Sequence, residues 1–246
     1  MRLLLGAASD KGRVRLRNED WMGWRLPLES PSDTLGSLFV VADGVGGHRG
    51  GADASRIAVE TMVSEYYAQP SVAVTESLTV GIYRANEAVY AGGQGGGRAT
   101  TLVAAVVAGD TLYIAHVGDS RALLIRDGTA RQLTSDHSVV QEMVKQGILT
   151  PEQAEHDPYR HVISRWIGDR SARPDITVEH LEPDDRLLLC TDGLTNQVSL
   201  ATIADVLLRS SEQEGADELI RVANAAGGVD NATAIVVHVV AASEPE

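Results

Sequence analysis

The chain has 246 residues, 43% of them hydrophobic and 22% charged, which is enough apolar material for one large buried core or two small ones. A net charge of −13 argues against a duplex nucleic-acid binder, which needs a basic face. The single cysteine, Cys190, cannot close an internal disulfide, and no apolar run reaches transmembrane length; a cytoplasmic protein without nucleic-acid or membrane partners is expected.

Residues 1–9 briefly resemble a signal peptide, but the apolar stretch is short and runs into Asp10-Lys11-Gly12-Arg13, so a strand over 3–9 is predicted instead. A second strand is expected at about 21–26, after a charged turn. The run Leu38-Phe39-Val40-Val41-Ala42 then reads as a buried strand over 37–43 that ends in Asp43-Gly44-Val45-Gly46-Gly47-His48. A carboxylate on a rigid strand end beside glycine carbonyls offers oxygen ligation suited to Mg²⁺ or Mn²⁺. An ordinary Asp-Gly turn with a surface histidine is the alternative for this stretch taken alone.

Helical spacing follows over 51–69, with Ala54, Ala58, Thr61 and Met62 on one face, and over 72–91, with Leu78, Ile82, Ala85 and Val89 recurring. Residues 92–97 are a glycine-rich connector. Between 100 and 133, apolar runs alternate with turns at Gly109-Asp110, Gly118-Asp119 and Asp127-Gly128, the pattern of an antiparallel meander. Residues 138–172 are less regular and predict a flap with a short helical piece at 139–146. Strands resume at about 175–182 and 185–191; Cys190, within the second, is expected as a core residue. Ser199 caps a helix with Ile203, Val206 and Leu207 inward, a further helix covers 213–226, and a strand covers 232–240. No linker or repeat divides the chain. One α+β domain over 1–246 is expected, an α-β-β-α arrangement with a central antiparallel β-sandwich flanked on each face by a pair of helices.

Glu19-Asp20 precedes a predicted strand, Asp43 ends one, Asp192 ends another, and Asp230 precedes the last. Carboxylates parked at strand ends can converge at one edge, where they need cations or protons to neutralise them. Two divalent ions sharing a bridging carboxylate would meet that need, and no Cys/His spacing suits zinc.

In this order the motifs resemble those of the metal-dependent (PPM, or type 2C) serine/threonine protein phosphatases. Asp10-Lys11-Gly12 with Arg15-Leu16-Arg17-Asn18-Glu19-Asp20 is similar to the family's opening motif, and Asp43-Gly44-Val45-Gly46-Gly47-His48 to its Asp-Gly-Met-Gly-Gly-His turn. Ala115-His116-Val117-Gly118-Asp119-Ser120-Arg121, Thr134-Ser135-Asp136-His137-Ser138, Thr191-Asp192-Gly193 and Asp230-Asn231-Ala232-Thr233 resemble the later ones. The likeness spans about 6–240, and the compact length resembles bacterial members. Arg98-Ala99 departs from the usual Met-Gly, and His116 stands where asparagine is common.

The resemblance implies a phosphatase acting on phosphoserine and phosphothreonine in proteins, through water activated by two Mn²⁺ or Mg²⁺ ions. Asp43 would bridge the ions, the Gly44 carbonyl would ligate one, and Asp192 and Asp230 would complete the other's shell. Glu19 would act through water, with Asp20 supporting it. Asp119, with Asp192, matches a weaker third-ion position. Arg15 would hold the substrate phosphate, and His48 is the proton-donor candidate. A monomer opposing a bacterial serine/threonine kinase is expected. A phosphatase of small metabolites and a regulatory pseudophosphatase are the alternatives.

Overall fold

The computed structural model describes residues 1–26, 35–45, 50–68, 72–93 and 97–241. Two five-stranded antiparallel sheets stack face to face. One orders β1 (Arg2–Asp10), β10 (Ala232–Val240), β9 (Arg186–Cys190), β6 (Arg121–Arg126) and β7 (Thr129–Gln132). The other orders β2 (Asp20–Arg25), β3 (Ser37–Asp43), β4 (Leu102–Ala108), β5 (Thr111–Val117) and β8 (Asp175–His180). Helices α1 (Gly51–Tyr66) and α2 (Val74–Gly92) cover the second sheet, while α6 (Leu200–Arg209) and α7 (Glu212–Ala225) cover the first. This is the predicted α-β-β-α architecture.

Strand β3 shows why its sequence is apolar throughout, since side chains alternate between faces and both faces are covered. Leu38, Val40 and Ala42 pack with Ala54, Ala58, Val59 and Met62 of α1 and with Leu78, Ile82, Ala85 and Val89 of α2. Phe39 and Val41 face the other sheet, against Leu187, Leu189, Ile235 and Val237. On the far side, Leu188, Cys190, Ala234 and Val236 meet Ile203, Leu207, Leu219 and Ala223 of α6 and α7. Each fully buried Leu, Ile, Val or Phe in these layers contributes about 1.5–3 kcal/mol of transfer free energy. Cys190 is fully buried, and burial pushes its thiol up to about 12, consistent with a packing residue and an inert thiol.

Caps set the helix starts. Ser199 Oγ accepts the Thr202 N–H at 3.2 Å at the head of α6. At α7 the Glu214 carboxylate reaches back to the Ser211 N–H at 3.2 Å and hydroxyl at 2.8 Å. The backbone of β1 passes so close to the start of α7 that a Cβ on Gly6 would lie 2.2 Å from the Glu212 carbonyl, a contact only glycine permits.

Several expectations are corrected. The stretch 100–133 is not a single meander: β4 and β5 form a hairpin in one sheet, whereas β6 and β7 belong to the other. Gly118-Asp119 is therefore a crossover between sheets and not a hairpin turn. Glycine-aspartate supplies the same local bend for either role, so its sequence does not separate them. Helix α1 ends at Tyr66, and its buried face holds Val59 in place of Thr61. Val206 is only partly buried. Strand β8 stops at His180. The segment 138–172 contains α3 (Val139–Lys145) and α4 (Pro151–Glu155), the latter started by Thr150 and Gln153 as a capping box with Pro151 in its first turn. Gly46, Gly47, His48 and half of the glycine connector, 94–96, lie outside the described residues.

Candidate metal centre

The acids meet at one end of the sandwich because the inter-sheet faces of four strands run out there. Asp43 follows Phe39 and Val41 on the inward face of β3. Asp20 lies directly opposite it on β2. From the other sheet, Thr191 extends β9 and Thr233 opens β10, and both hydroxyls donate to Asp20 Oδ2, at 2.9 and 2.7 Å. Asp192 begins the short helix α5 (Asp192–Thr195), and Asp230 stands two residues before β10. Asp119 enters on the crossover. Arg15, Glu19, Asp43, Gly44, Asp119, Asp192 and Asp230 all line one cleft of about 1400 Å³, whose far wall carries residues of α3 and α4.

Backbone contacts fix these positions. The Asp43 N–H donates to Thr101 Oγ1 at 2.9 Å, and its carbonyl accepts the Thr101 N–H at 2.8 Å and the Thr100 hydroxyl at 2.7 Å. The Gly44 N–H donates to the Glu19 carbonyl at 3.1 Å. A Cβ at Gly44 would lie 2.4 Å from the Gly51 carbonyl oxygen, so glycine is required for β3 to exit between its neighbours. Asn231 pins the loop before β2. Its Oδ1 accepts the Glu19 N–H at 2.8 Å, and its Nδ2 donates to the carbonyls of Lys11, at 2.8 Å, and Arg17, at 2.9 Å.

The charges are crowded. Burial, then the neighbouring carboxylates Asp20, Asp192, Asp119 and Asp230, hold Asp43 well above the usual carboxylate range. Burial raises Asp20 to about 7 against the two threonine hydroxyls, and Asp20 Oδ1 is buried with no partner. Burial and then Asp192 raise Asp119 to about 8. Burial and then Asp230 raise Asp192. Oxygen donors alone, too close to ionise together and including one orphaned buried oxygen, fit hard divalent cations. Arg15 Nη2 donates to Asp230 Oδ2 at 2.6 Å, a contact that raises the guanidinium above its ordinary value. Arg15 is thus the arginine of its loop that faces the acids. Arg13 turns away and donates to the Asn224 carbonyl at the end of α7, at 2.8 Å.

Sequence reasoning did not give roles to Asn231, Thr191, Thr233, Thr100 or Thr101, although all five stand inside or beside the quoted motifs. It also left aside the forked pair of Arg121 with Asp136, at 3.0 and 2.6 Å, whose guanidinium sits beside Asp119.

An α-β-β-α sandwich with an acid-lined cleft at one end is the architecture of the metal-dependent phosphatases, and the comparisons agree. The family model described as protein phosphatase 2C matches residues 28–222, and the chain belongs to that family. It is 36% identical over 244 residues to the serine/threonine protein phosphatase PstP of Mycobacterium tuberculosis, covering 97% of this chain and 45% of that protein, so the chain spans about half of that relative's length. It is 36% identical over 240 residues to the serine/threonine phosphatase stp of Listeria welshimeri, covering 94% of this chain and 93% of that one. The solved catalytic domain of PstP, in complex with two manganese ions, superposes with a TM-score of 0.83 at 34% identity, covering 97% of this chain and 99% of that one.

Proposed function

We propose that this chain is a Mn²⁺- or Mg²⁺-dependent phosphatase of phosphoserine and phosphothreonine in proteins. The observation that carries the reading is the convergence of Asp43, Asp192, Asp230 and Glu19 from both sheets on one cleft, with Asp20 buried opposite Asp43 and Arg15 also in the lining. Asp43 would bridge two ions, with the Gly44 carbonyl on one and Asp192 and Asp230 on the other. Glu19 would act through water, Asp20 would support that shell, and Asp119 would serve a weaker third ion. Bound there, the ions supply a water of lowered pKa and neutralise phosphate oxygens.

The chain's own groups do the rest. The Arg15 guanidinium offers a planar fork to two phosphate oxygens, and its present hold on Asp230 keeps it within the cleft. His48 would give a proton to the departing serine or threonine oxygen, a poor leaving group without one. The segment 138–172, whose α3 and α4 form the far wall, would act as the flap over the phosphoprotein, within one catalytic domain. We place the protein in the cytoplasm as a monomer opposing a serine/threonine kinase. The family relationship supports the class of substrate, and no helix among the described residues is long and apolar enough to cross a membrane.

The test is hydrolysis of a phosphothreonine peptide with Mn²⁺, after EDTA, and with Mn²⁺ restored, beside a small sugar phosphate. Activity that follows the metal and prefers the peptide is expected. Turnover indifferent to EDTA would refute the metal centre, and preference for the sugar phosphate would refute the protein substrate.

A further inference from the structure

Next to the cleft, yet absent from its lining, two histidines stack with ring centroids 4.5 Å apart and planes inclined by 20°. His116 is 1% exposed and His137 is 0% exposed. Together with Asp175 they bring potential ligand atoms within 4.8 Å of one another, and these residue types can bind a metal.

The hydrogen bonds assign the ring protons differently. The Gly118 N–H donates to His137 Nδ1 at 3.1 Å, so that nitrogen keeps its lone pair and the neutral ring carries its proton on Nε2. Nε2, which lies 3.2 Å from Asp175 Oδ2, is the atom a cation would require bare. His116 gives its Nε2 proton to the Ser135 carbonyl at 2.9 Å. Only His116 Nδ1 and the Asp175 carboxylate then have lone pairs to offer, too few for a protein-built transition-metal site.

What His137 does hold is the crossover. Besides accepting from the Gly118 N–H, it donates its own N–H to the Gly118 carbonyl at 3.0 Å, so one residue takes both backbone groups of Gly118. The Gly118 φ of +109° is one that L-residues rarely adopt, and a Cβ there would lie 2.6 Å from the Thr101 side chain. On the other side of Asp119, the Ser120 and Thr101 hydroxyls bond at 2.7 Å, and Thr101 also holds the backbone of Asp43. Both neighbours of Asp119 are therefore clamped, one by His137 and one by Thr101. The His137 carbonyl in turn accepts the Ser164 N–H at 2.7 Å, and Asp175 accepts from Arg165 at 2.7 Å, which anchors the clamp to the root of the 138–172 segment.

We propose that His137 is the positioning residue for Asp119: by engaging both backbone groups of Gly118 it aims the Asp119 carboxylate into the acid cluster. The inference rests on the reading that Asp119 holds a weaker cation. The test compares wild type, Asp119→Ala, His137→Gln and His137→Asn. Mn²⁺ binding is counted by electron paramagnetic resonance, alongside thermal melting and kinetics on p-nitrophenyl phosphate. The amide oxygen of asparagine reaches the place of Nδ1, whereas that of glutamine reaches the place of Nε2. His137→Gln is expected to weaken the weak class of Mn²⁺ by about tenfold or more, as losing an outer contact of a ligand does. It should lower kcat at unchanged KM and leave the two tighter ions bound, and His137→Asn should recover most of the weak affinity.

A wild-type protein that binds only two Mn²⁺ ions, with no weaker third, and an Asp119→Ala variant that binds Mn²⁺ as wild type does would overturn the Asp119 reading and this inference with it. A normal wild type beside a His137→Gln variant that binds Mn²⁺ as wild type does would overturn this inference alone. Should neither position-137 variant fold, amide exchange of Gly118 in wild type decides. Protection that grows as the weak cation site fills is expected, and exchange at the rate of an exposed loop would overturn the proposal.

Discussion

At Asp43 a single carboxylate sits among four others, so its charge opposes folding until something positive neutralises the group. Asp43→Asn removes one charge from that crowd while nearly keeping its shape. Turnover with saturating Mn²⁺ should fall to background, whereas the chelator-treated variant should melt no lower than chelator-treated wild type. A variant that melts several degrees lower would show that Asp43 serves packing more than cation binding. Proton linkage gives a second expectation. Asp20 at about 7 and Asp119 at about 8 are raised above their unfolded values, so the folded metal-free state holds more protons than the unfolded chain. Stability from that source is fully present below about pH 4 and is lost as pH rises through about 7–8. His137 works the other way, its burial lowering it to about 4, so it costs stability only below the ordinary histidine range near 6.5. Between pH 6.5 and 8.5 the acids therefore act alone. The melting temperature of chelated protein should decline across that window, and a flat profile would contradict the crowding.

At the scale of elements, the loop of residues 11–19 has little apolar content of its own and depends on Asn231 to hold it against β2 and β10. Each of its three hydrogen bonds contributes about 1 kcal/mol, so Asn231→Ala should cost about 2–3 kcal/mol in urea unfolding. Because the same loop carries Arg15, KM for phosphopeptide should rise more than kcat falls; an unchanged KM would disconnect the loop from phosphate binding. Elements were also where the sequence was most and least legible. The runs at 37–43 and 232–240 could be read to the residue, because strands covered on both faces are predominantly apolar and end in polar turns. The pairing of Ile203 with Leu207 and the cap at Ser199 were likewise local signals. The switch of sheets at Gly118-Asp119 was not legible, since sheet membership depends on partners some 70 residues away, such as Cys190 opposite Arg121. Helix α5 was missed because a four-residue helix has no period to show. The motifs named the acids, but the threonines that grip Asp20 and Asp43 look like ordinary strand residues until the two sheets are stacked.

For the whole molecule, ligands that join both sheets should act as a cross-link. Asp43 comes from one sheet, and Asp192 and Asp230 come from the ends of the other, so cations held among them would bind the folded state alone. At a hundredfold excess over the dissociation constant, linkage adds about 2.7 kcal/mol, roughly 5–10 °C of melting temperature for a domain of this size. Mn²⁺ should give that shift in wild type and much less of it in Asp192→Ala; equal shifts in the two would place the stabilising ions elsewhere.

The position of β10 bears on how the protein comes into being. It is the last strand described, yet it lies inside its sheet, between β1 and β9. On the ribosome, β1 waits for more than 220 residues before its partner, Ala232–Val240, is translated. During that wait β1 and β9 each present an unpaired edge, and the Leu187, Leu189 layer has only part of its cover. The second sheet, closed by β8 well before then, can form while synthesis continues. The acid cluster cannot, because Asp230 and the Thr233 clasp on Asp20 arrive with β10. A nascent chain therefore stays without a complete centre until β10 has been made, and its unpaired edges are exposed to misassociation until then.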